Sequence, residues 1–246
     1  MRASFETNNK TISLDGEWKF NGYNDPELRQ KVFYETAFDD SAWGTMPVPG
    51  MWELNGFGDP VYICNNFAWR WHYVNNPPIP PTKDNHVGQY RRTFQWTGSH
   101  ENEDIILRIG AVTSNVSVWL NGAYVGYSED SRLAADFDIT DKLVEGENTL
   151  ALEVFRWCDG TYLEDQDMWR MSGISRSVEI IRKPKSRLED LHIEASASGE
   201  LNLQMFFFWS RRSGGEAPCA TRMAKMEMEY ACFRYFPATG AQDSFP

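Results

Sequence analysis

Three carboxylates, Glu164, Asp165 and Asp167, fall within four positions of one another, in a run that also carries Trp157, Tyr162, Met168, Trp169 and Met171. Arg156 and Arg170 bracket them. Like charges at this density repel unless cations, hydrogen-bond donors or solvent compensate them. A plain surface loop draws on Gly, Ser, Asn and Pro and does not place five large apolar or aromatic side chains together. Residues 156–173 therefore read as a site loop, whose chemistry is that of acids meeting a donor or a cation.

The other candidates for chemistry are weaker. Cys64, Cys158, Cys219 and Cys232 form no CxxC pair and have no His at metal-ligand spacing, so neither a zinc site nor a disulfide framework is indicated. Cys158 reads as a small, partly buried residue. His72, His86, His100 and His192 are scattered, with no fixed acid or cysteine partner, and read as surface or packing residues. Arg91 and Arg92 read as a solvated strand face. A net charge of −11, from 24 Lys+Arg against 35 Asp+Glu, excludes an unaided nucleic-acid role because phosphates are repelled. No run of about 18 apolar residues is present, so no membrane partner is expected. Met1 to Glu6 lacks the apolar segment of a leader. The expectation is a cytoplasmic, reduced protein, or a periplasmic one if an upstream signal has been cut away.

The elements that must position the loop read as strands. Residues 12–20 make the first, interrupted at Asp15-Gly16, and residues 28–43 read as a compact loop rather than a helix. Pro47, Pro49, Gly50, Gly56, Gly58 and Pro60 punctuate the next stretch, which still carries Trp52, Leu54 and Phe57 for burial. Residues 62–64 give a brief extended piece and 75–81 a polyproline-like one. From residue 89 onward short strands recur at 89–96, 105–109, 116–120, 124–127, 137–139 and 149–155. The Asn121-Gly122 step is the strongest hairpin signal in the chain. This spacing predicts an all-β sandwich, and the site loop follows the strand ending at Phe155, at one end of it. One more strand covers 176–181, and residues 182–185 read as a linker. Residues 191–195 and 200–204 look like the opening hairpin of a second β domain. From Met205 the pattern is expected to fail: residues 205–246 read as an atypical tail, disordered or out of frame, with a short helix around 220–230 as its one element.

Several segments carry a resemblance. Ser13-Leu14-Asp15-Gly16-Glu17-Trp18-Lys19-Phe20, Phe38-Asp39-Asp40-Ser41-Ala42-Trp43, Pro47-Val48-Pro49-Gly50-Met51-Trp52-Glu53, Pro60-Val61-Tyr62, Val125-Gly126-Tyr127-Ser128-Glu129-Asp130-Ser131-Arg132 and the whole of 156–173 occur in this order. Together they resemble the N-terminal region of bacterial β-galactosidases of glycoside hydrolase family 2. The resemblance implies an all-β chain. A jelly-roll β-sandwich, galactose-binding-domain-like, would fill 1–183, and an incomplete immunoglobulin-like domain would start at 184–204. In the whole enzyme a catalytic (β/α)8 barrel follows.

It also implies site residues. The family's loop reaches into the barrel's active site, where the aspartate matching Asp167 binds galactose and a sodium ion. A second contact comes from an asparagine whose matching position is Cys64, with Asn65 next along; Met168, beside Asp167, completes the expected substrate-contact set. The alternative for Asp167 is a solvated acid paired with Arg170 or Arg156. Glu164 and Asp165 are expected to hold the loop through backbone donors. Trp157, Trp169 and Tyr162 are candidates to stack on a sugar, with burial expected for at least two. Retaining glycosidases need two carboxylates about 5–5.5 Å apart. The family carries both glutamates, and its magnesium site, on the barrel, so no catalytic residue and no cofactor of its own are expected for the isolated chain. Its expected role is a β-galactosidase fragment, inactive alone, with a β-galactoside and the barrel as partners. The alternatives are a free-standing carbohydrate-binding module or a docking module for a separately encoded catalytic chain.

Overall fold

The computed structural model describes residues 11–69, 72–164, 167–197, 200–211 and 219–231. The chain divides into two compact units, Met1–Lys183 and Pro184–Pro246.

The first unit is a β-sandwich. Its larger sheet runs, in spatial order, Ala123–Glu129, Asn115–Leu120, Gly146–Phe155, Val87–Trp96, Gly16–Tyr23 and Gly44–Val48. The smaller one runs Thr11–Ser13, Val178–Pro184, Glu103–Ile109 and Ala135–Asp138. Period-two alternation drives the assembly: Leu150, Leu152 and Val154 point inward from one strand and meet Val116, Val118, Leu120, Ile105, Leu107, Ile109, Val178 and Ile180 in a single apolar cluster. Each such side chain contributes roughly 1.5–3 kcal/mol on burial. Trp18, Phe20 and Tyr90 extend the cluster as edge-to-face neighbours, with Phe20 and Tyr90 centroids 4.9 Å apart. The expected hairpin is present, and Asn121 (φ 52°) with Gly122 (φ 82°) supplies the left-handed pair a tight two-residue turn needs.

The outer face of the larger sheet corrects one expectation. Arg91 is not solvated: residues 28–43 fold over it, and Arg91 is 5% exposed. Its Nε donates to Asp40 at 2.7 Å and its Nη1 to the Phe33 carbonyl. Phe33 packs edge-on against Trp119 at 5.4 Å. Covering the face in this way also buries Gln89 and Glu153, joined at 2.6 Å. Arg92 alternates to the opposite face, where it is half-buried with its guanidinium over Trp18.

The second unit is a three-stranded antiparallel meander, Ser186–Ala195, Glu200–Arg211 and Cys219–Ala231. The opening hairpin is there, but no linker separates it, because one strand ends at Pro184 and the next begins at Ser186. The helix expected around 220–230 is a strand. Its sequence Lys225-Met226-Glu227-Met228-Glu229-Tyr230 has period two, and the register sets Met226 opposite Met205, Met228 opposite Leu203 and Tyr230 opposite Leu201. Those positions continue the row through Leu191, Ile193 and Ala195. Residues 212–218 and 232–246 of the expected tail lie outside the described residues.

Candidate functional site

The loop that leaves Phe155 is fastened at each step. Arg156 N–H donates to the His86 carbonyl at 2.8 Å. Trp157 and Asn85 then exchange two bonds: Trp157 N–H to Asn85 Oδ1 at 2.8 Å, and Asn85 Nδ2 to the Trp157 carbonyl at 3.0 Å. Both are buried. Cys158 N–H donates to Thr161 Oγ1 and opens a 3-10 turn, Asp159–Leu163. Tyr162 follows, its hydroxyl donating to the Ile79 carbonyl at 2.9 Å and accepting from Asn76 N–H at 3.1 Å. Its ring lies 4.7 Å from Phe67 and 5.1 Å from Trp69. The proline-rich stretch thus serves as the dock for Tyr162.

Glu164 does what was expected of it: Oε1 accepts the Ser131 backbone N–H at 2.9 Å, while its own carbonyl accepts from Arg170 Nη1 at 2.8 Å. Asp165 lies outside the described residues. Asp167 is exposed, and its partner is neither arginine. Oδ1 accepts the Tyr62 hydroxyl at 2.5 Å across 105 residues of sequence. That bond and the carboxylate's charge raise the Tyr62 phenol above its ordinary pKa. Among the described residues Oδ2 accepts from no protein donor, which leaves one oxygen of Asp167 open.

The ladder that makes this contact is short. Met168–Arg170 pairs antiparallel with Val61–Ile63, Met168 opposite Ile63 and Trp169 opposite Tyr62. Carrying the register one step further sets Asp167 opposite Cys64, which is exposed. Three of the expected contact residues, Asp167, Met168 and Cys64, therefore share one edge, and Asn65 follows directly. Met168 Sδ also lies 2.5 Å from Arg132 Nη1. Of the aromatic candidates, Trp157 is buried and Tyr162 is docked, whereas Trp169 is 54% exposed. Tyr62, also 54% exposed, stands beside it with ring centroids 5.5 Å apart. An acid with one held oxygen, flanked by two open aromatic faces, can accept hydroxyl donors while a ring stacks alongside.

The far end of the loop is clamped to the Pro/Gly-rich segment. Glu53 accepts Ser172 N–H with both carboxylate oxygens, at 3.0 and 2.9 Å, and Trp52 N–H donates to the Ser172 carbonyl at 2.9 Å. Gly173 comes next, pairing with Met51 on one side and Thr113 on the other. Its φ of +115° and the Gly50 carbonyl, 2.7 Å from where a Cβ would stand, make glycine the residue that fits. Tyr62 and Glu53 carry no signal in sequence for these roles, because both act through register set far away along the chain.

One further set of possible ligand atoms is near the loop's start. Glu129, Cys158 and Asp159 bring theirs within 4.8 Å of one another. Burial pushes the Cys158 thiol up to about 11, so at neutral pH it is a protonated, poor metal ligand.

Fold and site together define a β-sandwich module with a polar, aromatic-flanked contact loop. Residues 11–184 match the family described as glycosyl hydrolases family 2, sugar binding domain, and the chain belongs to that family. It is 42% identical over 184 residues to a β-galactosidase of Priestia megaterium, covering 75% of this chain and 18% of the relative. With a β-galactosidase of Photobacterium profundum the identity is 44% over 181 residues, covering 74% and 17%. The chain thus spans less than a fifth of the length of these relatives. Among solved structures, a β-glucuronidase of Bacteroides uniformis superposes with a TM-score of 0.62 at 20% identity, over 90% of this chain and 26% of the other. One from Bifidobacterium dentium gives 0.62 at 17%, over 93% and 42%. At these identities the structures speak to the fold alone. No helix among the described residues is long and apolar enough to cross a membrane.

Proposed function

We propose that this chain is the sugar-binding part of a β-galactosidase that hydrolyses terminal β-D-galactosides, contributing one wall of an active site whose catalytic glutamates lie on a barrel outside it. The observation that carries this reading is Asp167: exposed, with Oδ1 fixed by Tyr62 and Oδ2 open beside the Tyr62 and Trp169 rings. The open oxygen accepts a sugar hydroxyl. It also suits one position in the oxygen shell of a sodium ion. The thiol of Cys64 is a soft donor and does not suit that ion.

In such an enzyme this chain's residues bind and orient. Tyr62 holds the Asp167 carboxylate in one rotation, Trp169 covers an apolar sugar face, and Glu53 and Asn85 keep the loop ends in place. No acid of the loop takes a catalytic role. Glu164 is committed to the Ser131 backbone, and the retaining reaction needs a pair of free carboxylates. The isolated chain is accordingly inactive toward galactosides.

The open Tyr62 and Trp169 faces favour a second reading, a carbohydrate-binding module that acts without a barrel. Titrating galactose into the chain while following tryptophan emission separates the two. The first reading expects no saturable change below high millimolar sugar and no hydrolysis of a nitrophenyl galactoside by the chain alone. A saturable change abolished by Asp167→Asn favours the second, and hydrolysis by the purified chain overturns the first.

A further inference from the structure

Three Asn-Gly steps occur in the chain, Asn21-Gly22, Asn55-Gly56 and Asn121-Gly122. An asparagine followed by glycine is prone to close on itself as a succinimide, because the second residue has no Cβ to shield its main-chain nitrogen from the asparagine side chain. The fold holds the three steps very differently.

Asn121 is pinned through both ends of its amide. Oδ1 accepts the Thr149 N–H at 2.9 Å, and Nδ2 donates to the Lys142 carbonyl at 3.0 Å and to Asn148 Oδ1 at 2.8 Å. Asn21-Gly22 lies within a strand of the larger sheet, Asn21 opposite Gln89 and Gly22 opposite Gly88. Asn21 is half-buried, with Nδ2 on the Tyr23 hydroxyl at 2.7 Å. The Phe57 ring covers Gly22 so closely that a Cβ there would stand 2.5 Å from it.

Asn55-Gly56 has none of this protection. Both residues are exposed, and among the described residues the Asn55 side chain makes one hydrogen bond, from Nδ2 to the Met51 carbonyl at 2.7 Å. No atom lies within 4 Å of where a Cβ on Gly56 would stand. The 3-10 turn that carries the step, Glu53–Asn55, is three residues long, has no side-chain cap at Trp52 and buries none of its residues. A single turn fastened so lightly opens at little cost.

We propose that Asn55-Gly56 is a site of spontaneous deamidation in the folded protein. When the turn opens, the Gly56 nitrogen attacks Asn55 Cγ: a C–N bond forms, the Cγ–Nδ2 bond breaks, and Nδ2 takes up the proton given up by the Gly56 nitrogen and leaves as ammonia. Water then opens the ring at either carbonyl, which leaves aspartate or isoaspartate at position 55 and adds one negative charge. Nothing is oxidised or reduced. Isoaspartate carries its side-chain carbon in the main chain, so the path from Trp52 to Phe57 lengthens by one atom. Phe57 N–H now closes that path on the Trp52 carbonyl at 3.0 Å, and its ring packs 5.4 Å from Trp52 and 5.6 Å from Phe20. The product therefore loosens the segment from which Glu53 holds Ser172. None of this depends on the sugar reading of Asp167.

The test incubates the folded chain at 37 °C, at pH 7 and pH 9, and follows each Asn-Gly step by peptide mass spectrometry, with isoaspartyl methyltransferase labelling to count isoaspartate. The amide of Asn55 is expected to disappear about tenfold or more faster than that of Asn121, which must give up two further hydrogen bonds. Loss is faster at pH 9, where the attacking nitrogen sheds its proton more readily, and in urea the three rates converge. The parent's melting temperature falls as isoaspartate accumulates, and Asn55→Gln keeps its own through the same incubation. A folded chain that retains the Asn55 amide through the time in which the urea-treated chain loses it overturns the proposal, as does reaction at Asn21 or Asn121 at the Asn55 rate.

Discussion

Replacing Glu53 with alanine removes the clamp at the far end of the site loop, and the size of the effect follows from what is left behind. Ser172 is 3% exposed, and both oxygens of Glu53 are on its N–H. Without them a buried donor has no partner, at a cost of about 1–3 kcal/mol. For a chain of this size that is a fall in melting temperature of roughly 2–12 °C. Glu53→Gln keeps an acceptor and should lose less than the alanine variant. The pH dependence carries a second signature. Burial raises the Glu53 carboxyl above its ordinary value of 4.5, so the folded state holds its proton more tightly than the unfolded chain does. Its contribution is therefore fully present below pH 4.5 and is lost as pH rises through the folded value, after which the curve is flat. The Gln variant lacks that decline. Thermal melts from pH 4 to 8, with amide exchange at Ser172 and Gly173, provide the assay. A Glu53→Ala protein that melts with the parent and keeps Ser172 protected would refute the clamp.

Gly173→Ala brings a Cβ to 2.7 Å from the Gly50 carbonyl at a φ of +115°, and is expected to cost more than about 1 kcal/mol in chemical denaturation. Leu152→Ala, in the centre of the sandwich, should cost about 2–5 kcal/mol with an unchanged denaturant slope. Asp167→Asn removes the carboxylate that raises the Tyr62 phenol, so one tyrosine in the 295 nm titration should shift to lower pH, and the shift should vanish in a Tyr62→Phe background. Burial depresses the His86 imidazole, so its contribution to stability is present above pH 6.5 and is lost as pH falls through the folded value; His86→Gln should flatten the melting curve there.

The sandwich was readable because its strands repeat every second residue: Leu150, Leu152 and Val154 are enough to fix a face, and Asn121-Gly122 fixes a turn. Arg91 was misread for the opposite reason. Its alternation marks it as outward, and nothing local announces that residues 28–43 will lie over it. The crowded acids located the loop but not its logic. Asp167 answers to Tyr62, and Glu53 answers to Ser172, through pairings more than a hundred residues long. In the second unit the apolar run Phe206-Phe207-Phe208-Trp209 obscures the period of its strand, and the alternation of Met and Glu in 225–230 is too short to outweigh the helix-forming character of those residues.

The ladder joining Val61–Ile63 to Met168–Arg170 is fastened by main-chain bonds, and the Asp167 carboxylate is steadied by Tyr62 rather than by its neighbour across the edge. Position 64 is thereby uncoupled from position 167. A change of side chain at position 64 leaves in place the oxygen of Asp167 that Tyr62 holds. The chemistry of that edge can then vary by substitution while the backbone ladder stays the same.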